Sequence, residues 1–183
     1  MAKSFLSSEE SNICASFINK RLYLANEKLP SLLKIILLEE NESTLLRGFD
    51  LLTDLLCYAE YYDKEIDVFT NDTKLEQLKP KEEGKHLIQK IENCRNVVLL
   101  IVKKAVDILK KTSADVRQHS LRMSILNFLK CYQILKKTCL KPDNAGEVDL
   151  HDELKDFELG FDKSEHEELF NNEQTMINEL KKL

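Results

Sequence analysis

VVLLIVKKAVDILKK, residues 97–111, decides how this chain is read. Its first six residues are apolar all round, and beyond them Ala105 and Ile108 keep a step of three to four residues. Traced backwards, Leu87, Ile91, Cys94, Val98 and Ile101 extend the stripe, which predicts one helix from about Glu82 to Lys110. A short break at Lys111-Thr112-Ser113 follows. Leu121, Ile125, Leu129 and Tyr132 then repeat the period to about Lys137. Two long helices with so short a connection are expected to pack as an antiparallel hairpin over about 82–138. The 97–102 run belongs to a well-covered central helix or to a dimer interface.

The same period governs the flanks. Leu45, Phe49, Leu52, Leu56 and Ala59 place one apolar stripe on a helix running from Ser43 to about Tyr62. Leu52-Thr53-Asp54-Leu55-Leu56 fits an LxxLL docking peptide, but these leucines already belong to the stripe that the fold needs. Towards the N-terminus, Ser7 with Glu10 suits a capping box before a helix over about 8–26, and Pro30 opens a second piece over about 30–40. Between Asp63 and Pro80 the chain reads as a connector carrying a short helix, TKLEQL. The expectation is an all-α bundle of about 5–7 helices, with a main domain over 1–144. Residues 145–183 follow as acidic amphipathic helices packed on that domain or on a partner.

Composition supports this reading. Glycine and proline supply only 4 and 3 of 183 residues, and 43% are hydrophobic, which suits long helices better than a turn-rich sheet protein. No secretion signal is legible, and charged residues interrupt every apolar run before it reaches membrane-spanning length, so the expected location is intracellular: cytoplasmic by default, with the nucleus open. Cys14, Cys57, Cys94, Cys131 and Cys139 lie far apart and form no CxxC pair, and they read as reduced thiols. The Asn-x-Ser/Thr patterns at Asn41 and Asn71 read as turns or helix starts.

Charge is distributed unevenly. Residues 1–81 hold 10 Lys/Arg and 14 Asp/Glu, net −4, and residues 82–141 hold 13 and 5, net +8. Residues 142–183 hold 4 and 13, net −9. A basic helical pair invites a nucleic-acid reading in which Lys103, Lys104, Lys110, Lys111 and Arg122 contact phosphates. Against it, no zinc finger, GXXG loop or RNP-like stretch supplies base recognition.

Catalytic and metal signatures are missing from the sequence. His166-Glu167-Glu168-Leu169-Phe170 begins like HExxH but ends in Phe, and His86, His119 and His151 stand apart from it. The four glycines form neither GxGxxG nor GxxxxGK. No metal, no cofactor and no enzymatic activity are expected, and an enzyme whose site escapes motif recognition ranks last among the alternatives.

The acidic end carries the remaining hypothesis. Leu150, Leu154 and Phe157 give a short amphipathic helix that Gly160 ends, and Ser164 with Glu167 suits a capping box for a terminal helix holding Leu169, Phe170, Met176, Ile177 and Leu180. Such pieces either cover the chain's own basic hairpin or recognise a protein partner or second protomer. In the second case Phe157, Phe161 and Phe170 are the anchors, and Asp156 and Glu158 steer. The expected function is a non-enzymatic helical protein-interaction or adaptor module, with nucleic-acid binding through the basic region as the alternative.

Overall fold

The computed structural model describes residues 27–64, 80–140 and 148–183. The expected helix over 8–26, the TKLEQL piece and Asn71 lie outside them. Among the described residues the chain is all-α, without a strand.

Helix α1 covers 27–38 and buries Leu29, Leu33 and Ile36, spaced four and three apart. The backbone is already helical at residue 27, so Pro30 lies within α1 instead of opening it. The helix ends at Glu39, whose carboxylate accepts the amides of Glu40 and Asn41, each at 2.9 Å. Asn41 then caps α2 (Glu42–Lys64): its side-chain oxygen accepts the Thr44 amide at 3.1 Å. The expected α2 stripe is buried in full, at Leu45, Phe49, Leu52, Leu56 and Ala59.

The first arm of the expected hairpin is not one helix. It divides into α3 (Pro80–Asn93) and α4 (Arg95–Thr112) at Cys94, whose φ of −98° and ψ of 13° leave the helical region. The Cys94 amide is shared between the carbonyls of Lys90 and Ile91, at 3.0 and 3.2 Å, while the Cys94 carbonyl accepts the amides of both Val97 and Val98. Asn and Cys are poor helix formers, and the break falls on that pair. Leu87, Ile91, Val98, Ile101 and Ala105 are nevertheless all buried, because the break does not shift the stripe.

A turn and a single 3-10 turn (Val116–Gln118) lead into α5 (His119–Thr138). Leu121, Ile125, Leu126, Phe128, Leu129, Tyr132 and Leu135 bury more than one face of this helix, which packs on α2, α4 and the last helix, α7 (Glu167–Lys182). The central element is therefore α5. On the 97–102 run, Leu100 is half exposed.

The contacts between α2 and α5 ascend together along both chains. Gln118 Nε2 donates to Glu42 at 2.6 Å, the Ser124 hydroxyl donates to Asp50 at 2.5 Å, the Phe49 and Phe128 rings lie 5.4 Å apart, and Cys57 meets Cys131. The two helices run parallel. The same holds for α5 and α7, where Arg122 pairs with Glu173 and Lys130 with Glu179. A parallel partner requires the chain to travel back along the bundle first. Residues 148–166, which include the short helix α6 (Leu150–Leu154), make that return as a strap. Their apolar residues join the same buried core as α1 to α5.

Candidate functional site

The strap is held down by alternating apolar residues. Asp149 caps α6 by accepting the amides of His151 and Asp152, at 2.9 and 3.4 Å. Leu150 and Leu154 are fully buried, and Val148, Phe157, Leu159 and Phe161 are nearly so. Full burial of a side chain of this size contributes about 1.5–3 kcal/mol, so the strap is fixed by several such increments. Gly160 meets the α4–α5 turn: its amide donates to the Ser113 carbonyl at 3.0 Å, and a β-carbon there would lie 3.1 Å from that of Ala114. A side chain there would require Ala114 to give way by a few tenths of an ångström.

Under the strap lies a buried polar cluster centred on Arg122. Arg122 and Glu173 are both 0% exposed, and Arg122 Nε and Nη2 donate to the two carboxylate oxygens of Glu173 at 2.6 and 2.8 Å. Nη1 donates to the carbonyls of Thr112 and Asp115 at 2.5 and 2.6 Å, satisfying the end of α4 and the turn after it. His119 Nδ1 donates to Glu173 at 2.7 Å. The Phe161 ring covers the guanidinium, its centroid 5.2 Å from Cζ, and Phe170 meets Phe161 edge-on at 5.6 Å. Each nitrogen of this buried cation thus has an acceptor, four bonds in all, which is the condition for burying it. The cluster joins α4, α5, the strap and α7 at one point.

Above the strap the surface is acidic. An open cleft of about 330 Å³ is lined by Lys110, Asp152, Glu153, Asp156, Phe157 and Glu158 among others. Lys110 pairs with Glu153 across it at 2.7 Å, an exposed contact worth little on its own. From residue 148 to 168 there are nine Asp/Glu against two Lys, net −7, and all nine carboxylates are exposed. The Ser164 hydroxyl and amide donate to Asp162 at 2.8 and 2.7 Å, and hold the Asp162 carboxyl below its ordinary pKa. Ser164 is consequently not the cap of α7, which starts after His166.

The structure gathers Asp156, Phe157 and Glu158 at the cleft and places Phe161 and Phe170 at the Arg122 cluster. Phe157 and Phe161 face inward, Phe170 is half-buried, and Asp156 and Glu158 face solvent. The five basic residues are not brought together. Lys103 and Lys111 are exposed, whereas Lys104 donates to the Leu37 carbonyl at 3.0 Å and to that of Glu39, closing the C-terminus of α1. Lys110 is at the acidic cleft, and Arg122 is buried.

Sequence reading did not single out Glu173 or pair it with Arg122 and His119. The signal was present: Glu173 stands three residues after Phe170 and four before Ile177, in phase with the apolar stripe. Among the described residues no cluster of three or more His, Cys, Asp or Glu side chains is placed to hold a metal ion, and no helix is long and apolar enough to cross a membrane. Comparison with family models, curated proteins and solved structures finds no match to the chain.

Proposed function

We propose that this chain is a non-enzymatic protein-interaction module that presents the acidic face of the strap and the start of α7 to a basic protein partner. The observation that carries the reading is the division of labour within one segment. Phe157 and Phe161 are buried in the chain's own core, while Asp152, Glu153, Asp156 and Glu158 stand exposed around the cleft. Apolar contacts therefore hold the carboxylates in a fixed array instead of on a loose tail. A pre-ordered array of one sign attracts a basic surface and costs little ordering on association. Asp156 and Glu158 make no ion pair among the described residues, so their charge is available to a partner. Glu167 and Glu168 also suit the positive end of α7, and this intrachain role accounts for part of the charge.

A Lys/Arg-rich amphipathic probe peptide titrated against the full chain by fluorescence anisotropy tests the proposal. Affinity is expected to fall with rising salt, and to fall about tenfold in an Asp156→Lys, Glu158→Lys double variant that melts like the parent. Equal affinity in parent and variant overturns it. Duplex DNA in the same assay tests the alternative use of Lys103 and Lys111.

A further inference from the structure

The parallel register of α2 and α5 brings two thiols into contact. Cys57 is exposed on α2, Cys131 is half-buried on α5, and their Sγ atoms lie 3.0 Å apart although 74 positions separate them in sequence. A disulfide bond is about 2.05 Å long, so closure asks for roughly 1 Å of approach. The backbone of each helix is held by contacts before the pair: Phe49 packs on Phe128, and Ser124 bonds Asp50. The approach of the sulfurs thus follows from the helix packing and not from one loose side chain.

We propose that Cys57 and Cys131 form an oxidisable dithiol, converted by a low-molecular-weight disulfide such as glutathione disulfide into a covalent link between α2 and α5. Exposure sets the order of events. The Cys57 thiolate attacks one sulfur of glutathione disulfide, forming a mixed disulfide and releasing one glutathione thiolate, which takes up a proton. The Cys131 thiolate then attacks the Cys57 sulfur, forming the Cys57–Cys131 bond and releasing the second glutathione. Two protein thiols are oxidised, and one glutathione disulfide is reduced to two thiols. The half-buried position of Cys131 suits a resolving thiol, shielded from the bulky oxidant yet adjacent to the sulfur it must reach. The other described cysteines, Cys94 and Cys139, are half-buried at a helix break and a helix end.

The link closes a long loop and restricts the unfolded chain, so the melting temperature is expected to rise by about 5–15 °C on oxidation. The full chain, reduced and then equilibrated with excess glutathione disulfide, is capped with an alkylating reagent and mapped by mass spectrometry. Expected is a cross-linked peptide pair holding Cys57 and Cys131, with a loss of two hydrogen masses from the intact chain. In Cys131→Ser, Cys57 is expected to stop at a stable glutathione adduct, and in Cys57→Ser, Cys131 is expected to remain open to alkylation. The melting rise should appear in the oxidised parent and in neither variant. Recovery of Cys57 and Cys131 as separately alkylated residues, or a bond mapped to another pair, overturns the proposal.

Discussion

Arg122 and Glu173 form a two-pronged ion pair with neither side chain exposed, at 2.6 and 2.8 Å, and it is the point where α5 holds the returning helix α7. Removing one member leaves the other charged in a dry site. Glu173→Ala is therefore expected to cost about 3–5 kcal/mol, read as a lower urea midpoint with unchanged slope. Arg122→Met, Glu173→Met together should cost less than the two single losses added, since no unpaired charge remains. It will not restore full stability, because the Thr112 and Asp115 carbonyls lose their donor. Strictly additive losses would show that the pair acts through packing alone.

That pair also marks what the sequence made legible. Period alone identified all five residues of the inward stripe of α2. On α5 it named Leu121, Ile125, Leu129 and Tyr132 and not Leu126, Phe128 or Leu135, which are buried because α5 packs on three helices and hides more than one face. Nor does period say which helix lies opposite. Leu121 and Ile125 are equally satisfied by α2, α4 or α7, so the parallel register of Cys57 with Cys131 had no local signature. The anchors Phe157 and Phe161 were visible as apolar residues in an acidic segment, but whether they meet the chain's own core or a partner has no local signature. Phe161 is held inward over the Arg122 guanidinium, and Phe157 is buried in the core beside the cleft. Arg122 and Glu173 each stand in phase with an apolar stripe on segments of opposite net charge. Taken singly, each resembles one more surface charge.

Asp115 gives a test in acid. The Arg117 side chain donates to its carboxylate at 3.0 and 3.1 Å, and the Arg117 amide adds a further bond, which together hold the carboxyl below its ordinary pKa. A carboxyl depressed in the folded state stabilises it above the unfolded pKa of about 3.9, and that contribution is lost as pH falls through the folded value. Loss is thus confined to acid and absent near neutrality. In an NMR titration, Arg117→Ala should raise the Asp115 midpoint towards about 3.9 while leaving Asp162, which is held by Ser164, unchanged. An unmoved Asp115 midpoint would remove Arg117 as the cause.

Gly48 sets two effects of known size against each other. It lies buried in the interior of α2, where replacing glycine by alanine ordinarily favours a helix by about 1 kcal/mol. Here a β-carbon would lie 2.8 Å from Ile36 Cγ1, and Ile36 is itself fully buried on α1. Cγ1 is the inner part of that side chain, so rotating its tip away does not relieve the contact. Overpacking of this kind costs about 1–3 kcal/mol, which outweighs the helical gain. Gly48→Ala is expected to lower the urea midpoint, and the same change in an Ile36→Ala background should be neutral or favourable. A coupling of at least about 0.5 kcal/mol across that double-mutant cycle would assign the close α1–α2 approach to this pair. If Gly48→Ala instead stabilises the parent chain, helix propensity dominates and α1 does not sit this close to α2.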